Sequence, residues 1–194
     1  MTLIECGYVE LFLQIYLSVV ILGFLPGSLS RSPSQRAWYD QFRGRLRKGL
    51  PNPNYVPIAP PTWLFSVVWG VLYSCMGVAA YLVREIGGPY VDDGNLWPLV
   101  LFWILQVVLA FYTLLFFSWR QRFLGTLDIV LGLGLTITVG VLFWSFSVAA
   151  AILMFVTALW ETFALVLSIW ILAKRSTTKE FTTASKIARN FPLK

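Results

Sequence analysis

The sequence predicts an all-α integral membrane protein, a bundle of five transmembrane helices. Three observations carry that prediction. Only 12% of the 194 residues are charged and 58% are hydrophobic; a soluble domain has about 25% and 45–50%, so this chain has too little charge to coat a water-facing surface. The apolar residues come in unbroken runs, with no charge from Pro60 to Val83 or from Leu96 to Ser118, and a bilayer core needs about 20 such residues. The runs lack the period-2 alternation of barrel strands and are too long for them, which leaves helices to satisfy the backbone inside hydrocarbon. A soluble enzyme and a disordered chain are excluded.

The five segments run roughly Tyr8–Leu29, Thr62–Val83, Trp97–Phe117, Phe123–Trp144 and Val148–Ala173. The first is interrupted by Glu10, Gln14 and Pro26. The residues before it carry no basic cluster, so it reads as a permanent span rather than a cleaved signal peptide. The bundle thus occupies residues 1–175, with a long first loop over 30–61 and a polar, basic tail over 176–194 that is expected to be mobile past its first turns.

Charge sits in the connections. The first loop, the link Ser118–Arg122 and the tail hold fourteen of the fifteen basic residues, and Arg84 alone lies on the other side. The positive-inside rule then places the N-terminus outside and the C-terminus in the cytoplasm. The run from Arg43 to Lys48 suits anionic lipid headgroups. Because the basic residues flank helices, the net charge of +6 does not signal nucleic acid. In the first loop, Pro51, Pro53, Pro57, Pro60 and Pro61 oppose helix. Trp38, Tyr39, Phe42, Tyr55 and Val56 give it apolar side chains with which to dock as a lid.

There is no histidine, and Cys6 and Cys75 form no paired motif. Ser–His and Cys–His nucleophiles and His-ligated metals are therefore ruled out, and no cofactor is expected. Asp128 and Glu161 are acids placed within spans, where a carboxylate faces a cavity or a partner by default. Asp128, about one turn into its helix, reads as a cap or as a partner for the Arg120 and Arg122 face. Glu161 lies deeper and is expected to face the interior. Gly132, Gly134 and Gly140, with Ala149–Ala151, supply small residues for tight packing or a homodimer. Trp69 and Trp160 lie too deep for the interfacial belt that explains Trp38, Trp97, Trp119 and Trp144. From spacing alone, pocket lining and ordinary packing explain those two equally well.

Pro60, Pro61, Trp63, Phe65, Val68, Trp69, Leu72, Tyr73, Met76 and Gly77, with Trp38 and Tyr39 ahead of them, resemble the helix-two signature of the translocator protein family, also called tryptophan-rich sensory proteins or peripheral benzodiazepine receptors. Phe116, Phe117, Arg120 and Gln121, followed by Asp128, are similar to a second family motif. Trp160, Phe163, Ala164 and Leu167 are similar to a third. The chain departs from the family at Leu114 and Leu115, where the family has paired prolines, and at Ser168, where it has Asn.

The resemblance implies a pocket that opens toward the first loop and takes porphyrin or haem, and sterols or benzodiazepine-type ligands, in a carrier or sensor. Ligand-binding residues would be Phe65, Ser66, Val68, Trp69, Trp160, Phe163, Ala164, Leu167 and Ser168, under a lid of Trp38 and Tyr39. Trp69 and Trp160 would face each other across the slot. Animal members imply the mitochondrial outer membrane and bacterial members the cell envelope. Two other readings stand beside this one: light-dependent porphyrin breakdown resting on the two tryptophans, and a lipid- or partner-binding scaffold whose slot is filled by helix packing.

Overall fold

The computed structural model describes residues 12–23, 33–43, 54–86 and 96–190. The remainder of the first apolar segment, and the basic run beyond Arg43, lie outside the described residues. The described secondary structure is all helical: α1 (Phe12–Gly23), α2 (Pro33–Asp40), α3 (Thr62–Ile86), α4 (Leu96–Thr113), α5 (Arg122–Trp144) and α6 (Val148–Asn190). Four stretches are long and apolar enough to cross a bilayer: Thr62–Glu85, Leu96–Ser118, Arg122–Trp144 and Val148–Lys174, with α1 as a shorter apolar helix.

Helix boundaries follow local chemistry. α3 starts directly after Pro60 and Pro61, and Leu64 N–H closes its first turn on the Pro61 carbonyl at 2.9 Å. Ser147 caps α6, its Oγ accepting the Ala150 N–H at 3.3 Å. No glycine or proline interrupts Val148–Asn190, so α6 continues as helix into the basic tail.

The surface, unlike that of a water-soluble protein, is apolar, and a few polar side chains lie within an otherwise apolar interior. Val67, Val71, Val107, Leu131, Val141 and Leu159 are exposed, whereas Gln106, Thr136, Thr157, Glu161 and Ser168 are buried. Such a surface is stable only against hydrocarbon, and the interior polar groups are shielded from it. α1 docks on α3 where glycine removes a side chain: a Cβ at Gly23 would collide with the Tyr73 ring, and one at Gly77 would lie 3.1 Å from Tyr16. Tyr16 Oη also donates to Ser74 Oγ at 3.0 Å. Close approach through small residues is what drives helix association in a membrane.

The expected small-residue contacts divide. Gly132 lets α5 approach Leu109, and Gly140 lets it approach Phe155 of α6, so both serve packing within the chain. Gly134 is exposed and a Cβ there would meet nothing.

The buried side chains form two clusters. One, toward the far end from the first loop, joins Val19, Tyr73, Met76, Phe102, Leu105, Val139, Phe143 and Met154. The other lies beneath the first loop and is aromatic: Tyr39, Phe42, Phe65, Tyr112 and Phe116, with Ile129, Ala164, Leu167 and Ile171. Trp69 packs against both.

Candidate functional site

The second cluster gathers most of the residues singled out in the sequence. Phe65 from α3 stands edge-on to Trp160 from α6, with ring centroids 5.9 Å apart, and Trp160 tilts against Phe163 at 5.0 Å. Trp69 stacks on Tyr73, one turn along its own helix, at 5.5 Å. Both tryptophans are half-buried and pack against the same cluster. The ring set against Trp160 from α3 is Phe65. Ala164, Leu167 and Ser168 are fully buried, and Ser168 Oγ shares a 3.2 Å hydrogen bond with Tyr112 Oη. Ser66 and Val68 are half-buried and belong to neither cluster.

The first loop closes this end. α2 presents Tyr39 and Trp38, and the turn after it brings Phe42 inward, held by Val56 N–H donating to the Phe42 carbonyl at 2.8 Å. Tyr39 is fully buried between Phe65 (5.6 Å) and Phe117 (5.8 Å). Burial holds its phenol well above the ordinary range, and its buried Oη has no hydrogen-bond partner. Trp38 packs edge-on to Phe116 at 5.6 Å. Arg122, at the start of α5, places its guanidinium 5.4 Å from the Trp38 ring and 5.0 Å from the Phe42 ring. This cation–π pair latches the loop to the bundle.

The floor of the lid depends on a local irregularity. α4 does not end at Thr113 but widens into a π turn, Leu114–Ser118, with Trp119 N–H bonding the Leu114 carbonyl at 2.8 Å. Arg120 then takes a left-handed φ of 56°, which ends the helix. The extra residue per turn points both Phe116 and Phe117 at the loop, and Gly125 admits Phe116 to within 3.2 Å of where a Cβ would sit. π turns of this kind concentrate at functional sites. This one begins at Leu114 and Leu115, the departure noted in the sequence.

Of the acids, Glu161 is fully buried and accepts a 2.9 Å hydrogen bond on Oε1 from Thr136 Oγ1 of α5, while its Oε2 has no partner. Asp128 is half-buried with Oδ2 buried and unpartnered. The Trp160 indole N–H is likewise buried without an acceptor. A separate cavity of about 400 Å³ lies on the outer side of α5 and α6, lined by residues such as Leu133, Ile137, Phe155 and Leu159. None of the sequence-predicted site residues lines it. Among the described residues, no three His, Cys, Asp or Glu side chains stand together as a metal site.

The profile of the TspO/MBR family matches residues 15–173, a stretch that contains α3 to α5, the lid and the apolar part of α6. The chain belongs to the TspO/MBR family. It is 31% identical to the Translocator protein of Sus scrofa over 121 residues, which is 62% of this chain and 69% of that one. Against Protein CrtK of Rhodobacter capsulatus it is 30% identical over 140 residues, 71% of this chain and 79% of the relative. The Tryptophan-rich protein TspO of Archaeoglobus fulgidus is 29% identical over 115 residues, 59% and 64% of the two chains. As a TspO/MBR member, the protein is a multi-pass integral membrane protein with an all-helical fold.

Sequence reasoning did not single out Tyr112, Thr136 or the latch made by Arg122. Tyr112 was visible as the fourth step of a 3–4 stripe, Phe102, Leu105, Leu109, Tyr112 and Phe116, all of them buried. Thr136 had no signal, because its role depends on how α5 sits beside α6.

Proposed function

We propose that this TspO/MBR protein takes a flat, largely apolar ligand between α3 and α6, beneath the first loop, and acts as a carrier or sensor for it. Porphyrin or haem is the ligand class that suits the site best, with sterols and benzodiazepine-type molecules as others of similar shape. The observation that carries this reading is the aromatic cluster of Phe65, Trp69, Trp160 and Phe163 capped by the buried Tyr39. Aromatic faces stack on a planar macrocycle. The basic residues at the same end of the bundle, Arg120 and Arg122 among them, supply charge-assisted hydrogen bonds for carboxylate substituents.

Ligand entry on this reading requires Tyr39 and Trp38 to lift, with the Arg122 latch setting how readily they do so. The lid side faces the cytoplasm and the N-terminus lies outside, as the distribution of basic residues implies. Titrating the purified protein with protoporphyrin IX and with cholesterol, side by side, tests the ligand class. Saturable quenching of tryptophan fluorescence by protoporphyrin is expected. Absence of saturable binding by either compound would leave the cluster as packing alone.

A further inference from the structure

The interior holds two acids, each with a buried carboxyl oxygen that meets no hydrogen-bond donor among the described residues. Glu161 Oε2 is completely buried with no hydrogen-bond partner, and its other oxygen is engaged only by the neutral Thr136 hydroxyl. Asp128 adds a second buried, unpartnered carboxyl oxygen from α5. Trp160, the residue before Glu161 on α6, stands edge-on to Phe65 of α3 and tilts against Phe163. A carboxyl at this depth is expensive to keep and is retained by default where it meets a partner or a substrate. Leaving one of its oxygens unpaired adds a further penalty. The neighbouring walls are π-rich, and aromatic faces attract cations.

We infer that Glu161 is the docking point for the protonated nitrogen of a lipophilic amine, whose N–H donates to Oε2 while its apolar body lies against the aromatic rings of α3 and α6. Among the described residues Glu161 is engaged only by the neutral Thr136 hydroxyl, and the countercharge comes from the ligand. A neutral molecule of the same shape gains the aromatic contacts and forgoes this bond. The inference rests on the reading that the bundle interior takes ligands, and narrows it to a chemical class set by this chain's own acid.

The test uses the full-length protein in dodecyl maltoside micelles and two probes, imipramine, a tricyclic tertiary amine, and iminodibenzyl, the same tricycle without the amine chain. Binding is read by tryptophan quenching. The parent should bind the amine about tenfold or more tightly than the tricycle, the worth of a hydrogen bond to a charged group. Glu161→Gln and Glu161→Met should lose that preference while still binding iminodibenzyl, which also shows that they remain folded. Equal affinity of the parent for the two probes overturns the proposal, as does a preference that survives both substitutions. If the parent binds neither probe but binds protoporphyrin, the amine site fails and the interior-ligand reading stands. If protoporphyrin also fails to bind, both fall.

Discussion

Replacing Tyr39 by alanine separates the lid from the bundle beneath it. The ring is fully buried and touches Phe65 on α3 and Phe117 in the π turn. Truncating a buried aromatic costs about 3–5 kcal/mol. Among the described residues, the loop is also tied by the Trp38 and Phe42 rings, the buried Val56 side chain, the Arg122 latch and the backbone bond from Val56. The four long helices have their own contacts, so the loss should fall on lid opening rather than on global unfolding. Taking about 3 kcal/mol, the open lid becomes more than a hundredfold more populated. Hydrogen–deuterium exchange of the peptide spanning 33–43 should accelerate by that order in Tyr39→Ala, while the thermal midpoint of the bundle moves little. Tyr39→Phe is the control. Its missing hydroxyl had no partner, so exchange should be unchanged or slower. An alanine variant with parental exchange in the loop, or one that unfolds the whole bundle, would refute the picture of a separately docked lid.

Arg122→Gln removes the guanidinium from both loop rings and should speed exchange of the same peptide about tenfold, on the order of 1–2 kcal/mol for a paired cation–π contact, with Arg122→Lys in between. Gly77→Leu should undock α1 from α3, because Tyr16 already sits against that position; crosslinking between cysteines placed on the two helices would report it. Tyr112→Phe and Ser168→Ala should each cost about 1 kcal/mol, and a double-mutant cycle on thermal stability should return a coupling of about the same size, since they share one buried hydrogen bond. Accessibility of tags at the two termini in sealed membranes should place them on opposite sides.

The architecture was legible because lipid leaves few options. Long apolar runs with at most an isolated acid must be helices in lipid, and the four long segments are helices in the structure. The first segment was harder to read: Glu10, Gln14 and Pro26 break its pattern, and the described part, Phe12–Gly23, is a shorter apolar helix. The inward face of α3 could be read from Phe65, Trp69 and Tyr73, because three- and four-residue spacings stay on one side of a helix. Ser66 was read from that same spacing and Val68 from the motif, and neither belongs to the clusters. The π turn Leu114–Ser118 that follows α4 adds a residue to the turn, which hides how Phe117 joins Phe116 in reaching the loop. The acids showed the limit most clearly. Depth alone predicted that Glu161 faces inward, but its Thr136 partner required knowing the contact between α5 and α6.

The claim that the space between α3 and α6 is a ligand site turns on the two indoles. Trp69→Phe and Trp160→Phe together keep most of the apolar bulk and remove the larger stacking surface, worth about 0.5–1.5 kcal/mol per aromatic pair. Protoporphyrin titration of this double variant, shown by its melting curve to be folded, is the most direct test. Affinity about tenfold weaker than the parent's is predicted; parental affinity would mean that these residues are packing and that any site lies elsewhere.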